Sequence, residues 1–170
     1  MVADLVEVPL NYLGLSPNTA QLLKDNWTAF HEANKDNPKA KYLQFCHSQG
    51  AIHVRNALAN APQEIRDRII VVAIAPAAVV PRQLCFDSVN YASKKDIVPL
   101  GEVVFYSFFD TNELGISSAV ETALERRNEL ILLDPHPEAT GIDHDFQSPT
   151  FKECIKNRID DYYDKNGEYE

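Results

Sequence analysis

Six successive apolar residues, Ile69-Ile70-Val71-Val72-Ala73-Ile74, constrain the fold of this chain more than any other segment. The run is apolar on both faces and mostly β-branched, which predicts a strand buried on both sides of a sheet. Strands of this kind occur in parallel sheets whose two faces are covered by helices. The run therefore predicts an α/β fold with a mostly parallel sheet and helices on both faces.

Helical and extended patterns alternate along the rest of the chain, as this fold class requires. At 170 residues, with 45% hydrophobic residues, the chain is expected to form a single domain over 1–170. Residues 1–16 are predicted to be irregular, with at most a short strand near 5–8, and 164–170 to form a frayed tail. Helices are predicted at about 17–33, 49–60, 62–67, 117–127 and 148–163, and strands at 42–45, 69–74, 85–91 and 130–133.

Charge and composition exclude several classes of protein. The chain has 16 Lys and Arg against 25 Asp and Glu, a formal net charge of −9, so nucleic acid is not an expected partner. No apolar run is long enough for a transmembrane segment, and the first residues lack the basic start of a signal peptide. The three cysteines are widely spaced, which predicts a reducing compartment such as the cytoplasm without excluding export. No nucleotide-binding motif occurs, and no cofactor or metal is expected.

The segment Phe45-Cys46-His47-Ser48-Gln49-Gly50 lies between a predicted strand and a predicted helix. This is the context of a nucleophile elbow, G-x-S-x-G, in which a tight turn lifts the serine hydroxyl clear of the sheet. The residues two before and two after the serine are expected to be small, and here they are Cys46 and Gly50. Ser48 is therefore a candidate nucleophile, and its alternative role is that of a helix N-cap. His47 is expected to be structural.

A serine nucleophile needs a histidine to take its proton and a carboxylate to orient that histidine. Asp96 lies in the polar turn after the predicted strand 85–91, and His144 lies between the strand 130–133 and the last helix. Their order, serine then acid then histidine, is that of the α/β-hydrolase fold. Rivals remain for both positions: Asp87 and Asp110 for the acid, and His136 for the histidine.

Two other segments have alternative interpretations. Histidine and carboxylate side chains both bind metals, so His136, Asp143, His144 and Asp145 could form a metal site, although adjacent residues seldom point at one centre. The apolar run 103–109 is interpreted as a buried strand, with a lid, an acyl-binding wall or an attachment surface as alternatives.

The elbow C-H-S-Q-G, the acid turn K-K-D-I-V-P and the histidine loop I-D-H-D-F resemble the α/β-hydrolase superfamily, in particular its lipase-like and esterase-like members. The resemblance spans about 17–163, and the stretch 46–58 with the helix before it is also similar to an uncharacterised family of hydrolase-like proteins in chlamydiae. It implies Ser48 as nucleophile, His144 as general base and acid, and Asp96 as orienting carboxylate. It also implies the backbone N–H of Gln49 as an oxyanion donor, and a small-molecule or lipid ester as substrate.

The chain departs from the superfamily before the elbow, where only residues 1–41 precede the strand that leads to Ser48. A complete fold has several strands there, and one of their loops supplies the second oxyanion donor. Either that donor comes from residues 1–16, around Tyr12-Leu13-Gly14, or the chain is a piece of a larger hydrolase that lacks its oxyanion loop. Two hypotheses result: a cofactor-independent serine hydrolase, and a catalytically silent module of the same fold that binds a partner or ligand.

Overall fold

The computed structural model describes residues 17–99 and 129–170. Helices and strands alternate within these ranges, as the sequence predicts. In chain order they are α1 (Pro17–Ala33), β1 (Tyr42–His47), α2 (Gly50–Ala59), α3 (Gln63–Arg66), β2 (Ile69–Ile74), a 3-10 turn (Arg82–Leu84), β3 (Asp87–Ser93), β4 (Leu130–Leu133) and α4 (Pro149–Asp164).

The four strands form one sheet in the order β1-β2-β3-β4, and every neighbouring pair is parallel. The register runs from Cys46 to Ala73, from Ala73 to Asn90 and from Asn90 to Leu130. Because all four strands run in the same direction, their carboxyl ends lie along one edge of the sheet. The predicted α/β class with a parallel sheet is confirmed.

Strand β2 is buried along its whole length because helices cover both of its faces. Val71 and Ala73 belong to a core cluster that includes Trp27 of α1 and Leu58 of α2. Val72 and Ile74 face the other way, into a cluster with Phe151 of α4. Alternation of side chains along a strand thus explains why six consecutive apolar residues are needed here.

The segment after β2 crosses back to β3 while almost fully buried, so its backbone groups need partners inside the protein. The side chain of Asn90 supplies two of them: its Oδ1 accepts from the Val80 N–H (2.9 Å), and its Nδ2 donates to the Val80 carbonyl (3.1 Å). The Ser88 hydroxyl donates to the same carbonyl at 2.7 Å. These buried polar side chains of β3 hold the crossover close to the sheet.

Strand β3 begins and ends two residues later than the sequence predicts. The predicted first residue, Cys85, instead closes the 3-10 turn, because its N–H donates to the Arg82 carbonyl at 3.2 Å. Its thiol donates to the Asp87 carbonyl at 3.2 Å. The strand then extends to Ser93, which shortens the polar turn that leads to Asp96.

The carboxyl-terminal segment is paired with the residues just before β1, so the expectation of a frayed tail is wrong. Glu168 forms an antiparallel bridge with Ala40, and the Gly167 carbonyl accepts from the Lys41 N–H at 2.8 Å. Gly167 has φ +69, and a Cβ there would lie 2.9 Å from the Tyr162 hydroxyl. Glycine therefore fits both the backbone turn and the close approach of Tyr162.

Several predictions fall outside the described residues, namely those for 1–16, for the apolar run 103–109, for the helix 117–127 and for Asp110. Within the described ranges, no helix is both long enough and apolar enough to cross a membrane.

Trp27 is the largest fully buried side chain of the core between α1 and the sheet, and its indole N–H donates to Gln44 Oε1 at 3.3 Å. Trp27→Ala is expected to lower the free energy of unfolding by about 3–5 kcal/mol, because it leaves a large cavity and an unpaired amide. Leu22→Ala, on the same helix but 64% exposed, is the matched control and should cost less than about 1 kcal/mol. Urea denaturation would measure both, and a loss below about 1 kcal/mol for Trp27→Ala would contradict this packing.

Candidate functional site

Ser48 follows directly on the last residue of β1 and has a left-handed backbone, with φ +50. Two neighbours hold this turn: the Ser48 N–H donates to the Ile74 carbonyl (3.3 Å), and the Ser48 carbonyl accepts from the Ala77 N–H (3.0 Å). The first of these bonds continues the β1–β2 pairing, and helix α2 begins two residues later at Gly50. The predicted tight strand-to-helix turn is therefore present.

The small residues on either side of Ser48 face each other across the turn. A Cβ built on Gly50 would lie 3.8 Å from Cys46 Cβ, which is ordinary van der Waals contact, and no other described residue would come within 4 Å. The packing among the described residues would therefore accept a methyl group at position 50, where only a small residue is expected from the sequence. Cys46 is the buried member of the pair, so the limit on side-chain size applies to position 46 more than to position 50.

Cys46 is not a rival nucleophile. Its side chain is buried in the core with Trp27 and Ala73, and burial raises the pKa of its thiol to about 12. The thiolate, which is the reactive form of cysteine, is therefore negligible near neutral pH.

The structure places Ser48, His144 and Asp96 in one hydrogen-bonded chain. His144 Nε2 lies 2.9 Å from Ser48 Oγ, and His144 Nδ1 lies 2.8 Å from Asp96 Oδ2. These are the three residues that the sequence predicts for a nucleophile, base and acid. They come from three separate loops, each at the carboxyl end of its strand.

The directions of these two hydrogen bonds follow from the chemistry of the partners. An ionised carboxylate only accepts hydrogen bonds. Nδ1 of a neutral His144 therefore carries the proton and donates a hydrogen bond to Asp96. Nε2 is then free of hydrogen and accepts from the Ser48 hydroxyl. In this arrangement His144 can take the proton of Ser48, while Asp96 stabilises the resulting imidazolium.

Asp96 is held in place from two sides. Its carboxylate is fully shielded from solvent, and while Oδ2 faces His144, Oδ1 accepts from the Val98 N–H at 2.9 Å. Its own N–H donates to the Ser93 carbonyl at the end of β3 (2.9 Å). The aspartate thus has little freedom to rotate away from the histidine.

The rival residues within the described ranges lie elsewhere. Asp87 starts β3 at the opposite end of the strand, where its carboxylate is 3.4 Å from Arg82 Nε. His136 Nδ1 accepts from the Glu138 N–H at 3.2 Å, nearer β4 in the loop that also carries His144. Neither is hydrogen-bonded to Ser48 or His144.

The alternative of a metal site gains no support. The Asp143 carboxylate faces Ser148 and Thr150, whereas the neighbouring His144 ring faces Asp96 and Ser48. Over residues 17–99 and 129–170, no three His, Cys, Asp or Glu side chains are arranged to hold a metal ion.

Gln49, the residue implied as an oxyanion donor, is the first after Ser48 and precedes α2. Its backbone N–H donates to no acceptor among the described residues, whereas the N–H groups of Ser48 and Ala51 are both paired. An unpaired N–H at the start of a helix is suited to binding a negative charge. Its role as an oxyanion donor remains a prediction.

Two residues next to the chain of Ser48, His144 and Asp96 were assigned no part in it from the sequence. His47 Nε2 donates to the His144 carbonyl at 2.7 Å, and its ring centre lies 5.0 Å from that of His144. Asp143 anchors the other side of the histidine loop through hydroxyl groups. Their only sequence signal is adjacency, since one precedes Ser48 and the other precedes His144.

The left-handed backbone of Ser48 predicts a measurable strain. A non-glycine residue in this region costs about 1–2 kcal/mol, which glycine does not incur. Ser48→Gly is therefore expected to be about 1 kcal/mol more stable than Ser48→Ala, although both lose the same hydroxyl. Urea denaturation of the two variants tests this, and equal stabilities would show that the turn is not strained.

The facing pair at 46 and 50 predicts an asymmetric response to larger side chains. Gly50→Ala is expected to change stability by less than about 1 kcal/mol, because the new methyl group meets Cys46 at contact distance. Cys46→Leu should cost about 1–3 kcal/mol, since it overfills a buried site. Thermal unfolding monitored by circular dichroism would compare the two variants. A larger loss of stability for Gly50→Ala than for Cys46→Leu would show that position 50, not position 46, is the more tightly packed.

Comparisons of the chain with protein-family models, with curated proteins and with solved structures find no match. The arrangement of Ser48, His144 and Asp96 at the edge of a parallel sheet is therefore the basis on which a function is proposed.

Proposed function

We propose that this chain is a serine hydrolase of the α/β-hydrolase type that cleaves a carboxylic ester. The observation that supports the proposal is the hydrogen-bonded chain from Ser48 Oγ through His144 to Asp96, with separations of 2.9 and 2.8 Å. Ser48 stands on a strained turn between a strand and a helix, which is where a hydrolase of this type presents its nucleophile.

In the first half of the reaction, Ser48 Oγ attacks the ester carbonyl carbon as its proton passes to His144 Nε2. The carbonyl oxygen becomes an oxyanion, which accepts a hydrogen bond from the backbone N–H of Gln49. The carbon–oxygen bond to the alcohol then breaks, and His144 returns the proton to the departing alkoxide. The products of this half are a free alcohol and an acyl group on Ser48.

In the second half, water replaces the alcohol. His144 Nε2 takes one proton from the water as its oxygen attacks the acyl carbon, and it later returns this proton to Ser48 Oγ. The carboxylic acid leaves and the serine is restored, so no cofactor is needed. Asp96 stays ionised throughout and stabilises the imidazolium in both halves.

The surroundings of the site favour an ester with an apolar acyl group. Exposed apolar side chains flank the two partner residues in sequence: Ile97 follows Asp96, and Ile142 and Phe146 lie two residues on either side of His144. The Phe146 ring packs edge-on against His47 (5.9 Å between centroids) and also lines an open groove of about 540 Å³. Ile155 and Ile159 of α4 line that groove together with Lys152 and Lys156, so it offers an aliphatic chain apolar contacts beside two positive charges.

A fluorophosphonate probe tests the proposed nucleophile directly, because Ser48 Oγ would displace fluoride from phosphorus and remain bonded to it. Mass spectrometry is expected to find the adduct on Ser48 and to find none in Ser48→Ala. Asp96→Asn should lower the labelling rate constant by about 10³- to 10⁴-fold, because the amide no longer orients His144. Asp87→Asn, on the opposite end of β3, is the matched control and should label like the wild type.

The contrary result is equally clear. If folded wild-type protein gives no adduct on Ser48 while a known serine hydrolase labels fully beside it, the enzyme proposal fails. A catalytically silent module of the same fold would then be the better description.

A further inference from the structure

Asp143 is a buried carboxylate immediately before His144, with only 2% of its surface exposed. Its Oδ2 accepts from the Thr150 hydroxyl at 2.7 Å, and its Oδ1 accepts a short hydrogen bond from the Ser148 hydroxyl. Ser148 is the N-cap of α4, where its Oγ also accepts from the Thr150 N–H. The carboxylate therefore ties the histidine loop to the start of the last helix.

Ser93 adds a connection to the other loop of the site. Its carbonyl accepts from the Asp96 N–H at 2.9 Å, and its hydroxyl is one of the groups that lower the pKa of the Asp143 carboxyl. Its Oγ also accepts from the Lys95 N–H at 3.3 Å. One buried serine at the end of β3 thus bonds to the turn that holds Asp96 and acts on the carboxylate that precedes His144.

The hydroxyl groups keep Asp143 ionised despite its burial. Burial by itself would raise the pKa of this carboxyl, but the hydroxyls of Ser148, Ser93 and Thr150 together with the positive charge of Lys95 outweigh it and hold the pKa below its usual range. An ionised carboxylate has no proton to donate, so all the hydroxyl groups point toward it. This fixes the direction of each bond in the network.

The hydrogen bonds of the Asp143 side chain also hold the unusual backbone conformation of this residue. Asp143 has a left-handed backbone, with φ +55, and its N–H donates to the Thr140 carbonyl at 3.1 Å. Such a conformation costs free energy and persists only where its surroundings impose it. Because the next residue is His144, any relaxation of this turn would move the imidazole away from Ser48 and Asp96.

From these contacts we infer that Asp143 is a positioning residue, which sets the His144 imidazole between Ser48 and Asp96 by tying the histidine loop to the start of α4 through Ser148 and Thr150. The expected effect of Asp143 on the reaction rate rests on the proposed function. Its expected effect on the position of the His144 ring does not. Asp143 does not touch the reacting atoms.

Asp143→Asn is the most conservative test, since the amide keeps the size of the carboxylate but presents an N–H₂ group to one of the hydroxyls. The fluorophosphonate labelling rate per folded molecule is expected to fall about 10- to 100-fold, in line with a displacement of about 1 Å at a reacting group. With an ester substrate, kcat should fall and KM should change little. Asp145→Asn, on the other side of His144, is the matched control and should stay within about twofold of the wild type.

A second readout is independent of catalysis. The proton between His144 Nδ1 and Asp96 is expected to give a far-downfield proton resonance, assigned by its loss in Asp96→Asn. Asp143→Asn should shift or broaden this resonance while the circular dichroism spectrum stays native, and Asp145→Asn should leave it unchanged. A purely structural role would change the folded fraction but neither this resonance nor the labelling rate of the folded molecules.

The outcomes separate the inference from the proposed function. If wild type fails to label, the proposed function is wrong, and the resonance alone decides whether Asp143 positions His144. If folded Asp143→Asn keeps both the labelling rate and the resonance, the positioning role is wrong. Should Asp143→Asn fail to fold, Thr150→Val takes its place, because it removes the hydroxyl that donates to Asp143 Oδ2 and keeps the side-chain shape. Unchanged values for that variant would overturn the inference, whereas loss of either would support it.

Discussion

The burial of β2 on both faces is the constraint on which the rest of the structure depends. A strand with apolar side chains on both sides needs a neighbour along each edge and a helix over each face, and parallel pairing with β1 and β3 provides this. Parallel strands bring their carboxyl ends to one edge of the sheet. Three loops from β1, β3 and β4 consequently meet there, with Ser48, Asp96 and His144 on them.

Local strain and hydrogen bonding then convert this meeting of loops into a defined site. Ser48 and Asp143 both have left-handed backbones, and each is held by bonds to a neighbouring element: Ser48 to the end of β2 and the loop after it, and Asp143 to the start of α4. One cost falls on Ser48 itself and the other next to His144. Under the proposed function, stability is given up where the geometry of the hydroxyl and the imidazole must be exact to a fraction of an ångström.

Much of the fold could be predicted because its signals are local. The run 69–74, Pro17 at the start of α1 and the Ser48 motif between strand and helix are patterns within a few residues of one another, and each produced the expected element. The errors have two causes. Cys85 closes a local 3-10 turn on Arg82 instead of opening β3, and a strand-like composition hides such a turn. The carboxyl-terminal segment pairs with the residues before β1 instead of fraying, and sequence spacing cannot identify so distant a partner.

The sequence by itself determined the fold class and the three residues to consider as nucleophile, acid and base, because apolar periodicity and motif order are properties of the chain alone. The tertiary structure decided that these residues meet. It places Asp96, and not Asp87 at the other end of β3, beside His144, and it brings His144, and not His136 of the same loop, to Ser48. It also shows the hydrogen bonds of His47 and Asp143: the first joins residues 97 apart in the chain, and the second depends on how the loop between β4 and α4 folds back on the helix, which no local pattern encodes.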